Sequence, residues 1–234
     1  MKHYDSFENI NNDKLLIGEV IWAFNKLDGQ NFCVKYNARK KEFCGFGSRT
    51  QSIDETHELL GPAVQYFKEN NIADKLYSII KEHSGKRDIF NGIEELTFFF
   101  EWYGDNSFAG FHKEGDTMHL ALIDVFLKKK GYIDPESFYK LFCLNENIET
   151  PKLIYKGKLN QDFIDHIYNY PVEEHLLNPG IFEKEPCDKL KEGVVCRRST
   201  YMKGQRMPKV KIKTKWWLDQ VHAKFDQEMW KDLE

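Results

Sequence analysis

The feature that most constrains this chain is a set of short stretches with period-two apolar alternation, each closed by turn residues, which reads as strands of antiparallel sheet. Val20 to Lys26, Asn31 to Tyr36 and Glu42 to Phe46 are three such stretches, separated by Asp28-Gly29 and by a polar turn from Asn37 to Lys41. Their spacing predicts a β meander. Leu96 to Tyr103 and Met118 to Leu127 are more strongly apolar and suit central strands, joined by a turn that contains Asp105-Asn106 and Gly110. Gly193 to Arg198 and Lys209 to Thr214 predict two further strands.

Helical spacing appears between these stretches. From Asp54 to His83, residues Leu59, Leu60, Val64, Phe67, Leu76, Ile79 and Ile80 recur at helical intervals, with Asp54 as an N-cap, and predict one or two helices. Asp134-Pro135-Glu136 opens a helix through Leu144, because proline at the first helical position and an aspartate before it satisfy helix-start chemistry. Further helices are expected over Gln161 to Tyr168 and Trp216 to Leu233, and a loop over residues 178–191. The class is α+β, with mostly antiparallel sheets and flanking helices.

A length of 234 residues with 41% hydrophobic residues fits one compact domain over residues 1–215, followed by a C-terminal helix over 216–234. No apolar stretch approaches the eighteen or so residues that a membrane span needs. Met1 to Asp5 leads into polar sequence without the apolar core of a secretory signal, so the expectation is a soluble, cytoplasmic protein. Five cysteines, Cys33, Cys44, Cys143, Cys187 and Cys196, form no C-x-x-C pair, and the eight histidines never stand four apart. Both patterns argue against a disulfide framework or a zinc enzyme. The net charge of −3 carries no global sign of nucleic-acid binding, but Lys and Arg concentrate between Lys184 and Lys215.

Chemistry is suggested first by Lys26-Leu27-Asp28-Gly29, which closes a strand and opens a turn, with Gly29 free to take unusual dihedrals. A lysine attacks phosphorus as the neutral amine, so its ordinary pKa of about 10.4 must be lowered by cations or desolvation. By itself K-x-D-G is short enough to arise by chance, and an ordinary turn lysine explains it equally well. The ordered elements C-terminal to it are more specific. Ser48-Arg49-Thr50 comes next, then Phe99-Phe100-Glu101-Trp102-Tyr103-Gly104, Leu120 to Val125 with Ile123 before Asp124, Glu192-Gly193-Val194-Val195, and Lys211-Ile212-Lys213 with Trp216-Trp217 behind it. Alternation on a strand aims Lys211 and Lys213 at one face and at one phosphate group, although an edge strand guarded by solvated lysines would look the same.

This ordered series, spanning roughly residues 22 to 217, resembles the covalent lysine nucleotidyltransferases of the ATP-dependent RNA and DNA ligases. The K-I-K-x-x-W-W stretch and Asn31-Phe32 after Gly29 look most like phage-type RNA ligases. The resemblance implies a ligase adenylation domain in which Lys26 becomes linked to AMP. It also implies nucleotide contacts from Asn25, Asp28, Gly29, Arg49, Glu101, Ile123, Glu192, Val194, Lys211 and Lys213, with Arg49 as a cation near Lys26. Glu101 would hold the ribose, and Ile123 stands where the family usually carries an aromatic to stack on the purine. Glu192 would organise a magnesium ion, and Val194 with its neighbour would pack on the nucleotide. The implied substrates are ATP and RNA 5′-phosphate and 3′-hydroxyl ends, with a nicked duplex among the candidates.

Ligases of this kind usually append a second domain after the last motif, and only about twenty residues follow Lys213. Either the C-terminal helix from Trp216, a partner protein or another subunit of an oligomer stands in for it, or the chain performs only part of the cycle. Other readings of the same motifs are a DNA ligase, a GTP-dependent capping guanylyltransferase and a nucleotide- or RNA-binding module without catalysis.

Overall fold

The computed structural model describes residues 2–11, 14, 16–170, 190–199 and 208–233, so the loop expected over 178–191 falls outside it except for its last two positions. In chain order the strands are β1 (Val20–Lys26), β2 (Gln30–Asn37), β3 (Glu42–Gly47), β4 (Ser52–Ile53), β5 (Glu95–Gly104), β6 (Met118–Leu127), β7 (Gly131–Tyr132), β8 (Leu153–Lys158), β9 (Gly193–Arg198) and β10 (Lys209–Lys213). The helices are α1 (Gly61–Glu69), α2 (Ile72–Glu82), α3 (Pro135–Phe138) continuing into a π-helical turn (Tyr139–Cys143), α4 (Gln161–Tyr168), α5 (Lys215–Lys224) and α6 (Gln227–Leu233). They form two compact units, each with its own antiparallel sheet. One comprises Gly29–Ile133, Ser137–Thr150 and the residues up to Asp5; the other comprises Ser6–Asp28, Asp134–Glu136 and the described residues from Pro151 onward.

The meander expected over residues 20–46 is not formed. β2 and β3 make the hairpin, but β1 belongs to the other sheet, where it pairs with β8 on one side and β9 on the other. The burial of β1 explains this, because Ile21, Trp22, Ala23 and Phe24 are consecutive and all buried. A strand covered on both faces is a central strand and needs partners on both edges. Asp28-Gly29 therefore acts as the passage from one unit to the other.

In the first unit the strand order is β4-β3-β2-β5-β6-β7. One face of this sheet packs on α1 and α2 through an aromatic cluster. The ring of Phe67 on α1 lies 5.7 Å from those of Phe43 and Phe46 and 6.0 Å from that of Phe100. Such tilted and edge-on pairs are worth about 0.5–1.5 kcal/mol each beyond the area they bury. Asp54 does not cap α1. Its carboxylate accepts from the amide and hydroxyl of Thr56 in a separate turn, and α1 begins seven residues later with a proline in its first turn. On β6 the register steps from Asp124 opposite Phe99 to Leu122 opposite Phe100, which leaves Ile123 as the extra residue of a bulge.

The sheet of the second unit runs β10-β9-β1-β8. Ile21, Ala23, Ile154, Val194, Cys196, Val210 and Ile212 on one face pack against Phe163, Ile164 and Ile167 of α4. The side chain of Asn160 caps α4 by accepting from the Phe163 amide at 2.9 Å. The outer edge of β10 is covered by the N-terminal segment, because the Ile10 amide donates to the Lys211 carbonyl and the Lys211 amide to the Glu8 carbonyl. β8 has no clear sequence signature, since its alternation is broken by Gly157, where the Tyr155 ring folds back into the space that a side chain would fill. The single terminal helix expected from Trp216 is two helices, divided at Phe225, whose extended backbone lets Asp226 cap α6.

Gly29 is not in a left-handed conformation. Its lack of a side chain serves close approach instead: a Cβ there would lie 2.3 Å from the Trp102 carbonyl oxygen and 2.7 Å from the Tyr103 Cβ, both within the same unit. Both obstacles are backbone or the root of a side chain, so neither can swing away. Gly29→Ala is expected to cost on the order of 1–3 kcal/mol, read as a lowered denaturation midpoint in urea with the slope unchanged.

Candidate active site

Strand register in the second unit places Lys26 opposite Gly193 on β9, and Gly193 opposite Lys213 on β10. Opposed residues share a face of the sheet, so two lysines flank a position with no side chain, each about 4.8 Å away. Glycine is required there. Its φ is +143°, and a Cβ would lie 2.0 Å from the Ile212 carbonyl oxygen. The residue immediately before it, Glu192, fills the gap with its carboxylate. Oε2 accepts from Lys26 Nζ at 2.7 Å and Oε1 from Lys213 Nζ at 3.0 Å.

Burial makes this bridge consequential. The Glu192 and Lys213 side chains are 4% and 2% exposed, and that of Lys26 is 20% exposed. Burial pushes the Glu192 carboxyl upward, but the two ammonium groups prevail and hold it below the usual carboxylate range. For Lys213, burial is the main cause of a fall to about 8, aided by the charges of Lys26 and Lys211 and opposed by Glu192. Two cations around one buried anion leave a surplus positive charge, which a phosphate group would complement.

The C-terminal segment braces this cluster. Thr214 caps α5 by accepting from the Trp217 amide, while its own hydroxyl donates to the Lys191 carbonyl and its amide to the Glu192 carbonyl. The Trp217 ring lies 3.6 Å from Lys213 Nζ, as a cation–π contact, and its Nε1 donates to Asp28 Oδ2 at 2.8 Å. Lys213 also donates to the Leu233 carbonyl at the end of α6. One tryptophan thus ties together the turn after Lys26, the second lysine and helix α5.

Several expected residues are arranged differently from the sequence reading. Val194, expected to pack on a nucleotide, lies in the core beneath the sheet, because alternation turns it away from the Lys26 face. Val195 takes the Lys26 face instead, in one row with Phe24 and Lys211. Asn25 alternates away from Lys26 as well, and its Oδ1 is buried with no hydrogen-bond partner. Arg197, one step further along the Lys26 face, escapes the motif reading. It is buried, with its guanidinium 5.0 Å over the Phe24 ring. Counting by twos from Gly193 through Val195 finds it.

Arg49, Glu101 and Ile123 belong to the first unit. Arg49 is exposed at the tip of the turn between β3 and β4, where the Ser48 hydroxyl accepts from the Thr50 and Gln51 amides. Glu101 is half-buried on β5 after the buried Phe98-Phe99-Phe100 run, opposite Asn31. Ile123 is the bulged residue of β6, and a bulge re-aims a side chain.

Among the described residues no three His, Cys, Asp or Glu side chains gather as a metal site. Glu192 is a single carboxylate whose two oxygens are both held by lysines. A divalent ion of the magnesium type, which commonly takes one or two protein carboxylates and draws its other ligands from phosphates and water, would need Lys26 to give up one of those oxygens.

A sequence profile described as RNA ligase matches residues 19–213. The chain belongs to the RNA ligase family. No curated protein matches it in sequence. Among solved structures, this family member is similar to Naegleria gruberi RNA ligase in several states. A variant with ATP and Mn gives a TM-score of 0.61 at 18% identity, over 95% of this chain and 58% of that one. The form with PPi gives 0.59 at 17%, over 96% and 59%, and a variant with AMP and Mn gives 0.59 at 16%, over 94% and 58%. The likeness is one of fold, and the chain spans less than two thirds of the length of those structures.

The bracing by Trp217 can be isolated by substitution. Trp217→Phe keeps an aromatic ring for Lys213 but removes the donor to Asp28 together with part of a fully buried ring system. Loss of a part-buried hydrogen bond to a charged group, with the cavity added, is expected to cost at least about 1.5–3 kcal/mol, measured as a shift of the urea midpoint, while Trp216→Phe, at an exposed neighbour, should leave the midpoint nearly unchanged.

Proposed function

We propose that the chain is an ATP-dependent RNA ligase that works through a covalent lysine–AMP intermediate. The observation that carries this reading is the Glu192 carboxylate held between Lys26 and Lys213, in a chain of the RNA ligase family. Lys26 Nζ, the more exposed of the two amines, attacks the α-phosphate of ATP. A nitrogen–phosphorus bond forms, the bond to the leaving pyrophosphate breaks, and the amine gives up a proton. Lys213, with Lys211 two residues before it on the same strand, offers positive charge to the phosphate. AMP then passes to an RNA 5′-phosphate, and a 3′-hydroxyl attacks that activated end, sealing the strand and releasing AMP.

A divalent ion, when bound, supplies neutralisation of the phosphate charge. Glu192 would hold it with one oxygen once Lys26 releases that oxygen, while Lys213 keeps the other. The Naegleria gruberi RNA ligase variant solved with ATP and Mn supports the use of ATP with a divalent ion. In the same reading Arg49, Glu101 and Ile123 contact the nucleotide, and residues 1–215 act as the adenylation domain with α5 and α6 as its C-terminal brace. A nicked duplex is among the candidate substrates, and the site of action is the cytoplasm. No helix among the described residues is long and apolar enough to cross a membrane.

The test is incubation with α-labelled ATP or GTP and a divalent ion, using protein freed of any prior adduct. Wild type is expected to gain an AMP-sized mass with ATP alone, and Lys26→Ala to gain none. A GMP adduct would move the assignment to a capping-type guanylyltransferase. No adduct from a folded wild type would leave a binding module.

A further inference from the structure

A basic surface exists in the first unit, far in sequence from the Lys- and Arg-rich stretch between Lys184 and Lys215. The turn between β2 and β3 carries Arg39-Lys40-Lys41, and the turn between β6 and β7 carries Lys128-Lys129-Lys130. Nearly ninety residues separate the two turns, but the sheet register brings them to one end, because β2 and β6 both pair with β5 there: Asn37 lies opposite Glu95, and Leu127 opposite Leu96. The Ala38 amide donates to the Glu94 carbonyl and the Lys128 amide to the Glu95 carbonyl.

Glu94 and Glu95 then clamp the turns together. Glu94 takes Arg39 at 2.5 Å from one turn and Lys129 at 3.7 Å from the other. Glu95 takes Lys35 of β2 at 2.6 Å and Lys128 at 3.5 Å. Each carboxylate is thus shared by two cations. With Glu42, which faces Lys40 at 3.5 Å, three carboxylates stand among seven basic side chains, and a positive excess remains. All six basic side chains on the turns are exposed.

The backbone gives an independent sign. Lys41 has φ +55° and Lys129 φ +72°, the left-handed region where glycine or asparagine is the undemanding choice. Turn geometry does not select lysine at these two positions, and a solvated turn would be better served by glycine. The positive charge at these positions is therefore not a by-product of the backbone conformation.

We propose that this surface binds the phosphodiester backbone of the RNA substrate at a distance from the joined ends. The proposal rests on the RNA ligase reading for the identity of the polyanion. With Glu101 taken as the ribose contact of the proposed function, six residues of β5 separate Glu95 from it, about 20 Å at strand rise. That corresponds to about six stacked nucleotides of one strand, so long substrates reach the surface and very short ones do not.

The test uses the full chain with Lys40→Ala, Lys41→Gly, Lys128→Ala and Lys129→Gly combined. Glycine relieves the two left-handed positions, so folding is protected, and circular dichroism with thermal unfolding verifies it. Binding of a 5′-phosphorylated single-stranded RNA of about 24 nucleotides is measured against salt and compared with one of about four. Each lost phosphate contact lowers the slope of log affinity against log salt by about 0.7. The long RNA should lose at least about tenfold in affinity, with the slope reduced by about 2–3, while the short RNA is unaffected. Formation of the nucleotide adduct should match wild type. Unchanged affinity and slope for the long RNA would overturn the proposal, as would equal losses for both lengths. If wild type forms no adduct but the long RNA loses binding as described, the surface stands and the ligase reading fails.

Discussion

The structure of the second unit depends on one buried carboxylate shared by two lysines. Glu192 accepts from Lys26 and Lys213 at 2.7 and 3.0 Å, and the surrounding features serve that bridge. A glycine at 193 leaves room between the lysines, and its φ of +143° turns the chain so that Glu192 stands behind the gap. Thr214 fastens the backbone of Glu192 to the start of α5, and Trp217 supports Lys213 from beneath. Removing the carboxylate would leave a buried and a partly buried ammonium group facing each other without a counter-charge, a costly arrangement.

The two lysines it holds are not equivalent. Lys213 is nearly inaccessible and drawn down to about 8, a consequence of burial before charge. Acidity alone would nominate it as the nucleophile. Access nominates Lys26, which closes β1 with a fifth of its side chain exposed, next to the turn where the chain leaves for the other unit. A lysine sealed between a carboxylate, an indole ring and the Leu233 carbonyl is suited to hold charge in place, and one at a strand end is suited to react.

Much of this site is legible in the sequence because its parts are local. K-L-D-G, E-G-V-V and K-I-K each lie at the end or along the length of one strand, and period-two alternation correctly puts Lys211 and Lys213 on one face. The same alternation, applied one residue further, places Val194 in the core and finds Arg197. Pairing is not legible. β1 looks like the first strand of a meander until its unbroken buried run is weighed, and its partners lie more than a hundred residues away. β8 gives no signal because glycine and lysines interrupt it. The two basic turns are ordinary in sequence, and only the register on β5 makes them one surface.

The identity of the amine that carries the nucleotide is the most direct test of this chemistry. Peptide mapping of the labelled wild-type protein at neutral to alkaline pH, which spares the acid-labile phosphoramide, answers it with one mass assignment. An AMP mass confined to the peptide containing Lys26 is the predicted result. The same mass on Lys213 or Lys211 would contradict the role given to Lys26, because the amine chosen would lie on β10 and Glu192 would be presenting the wrong lysine.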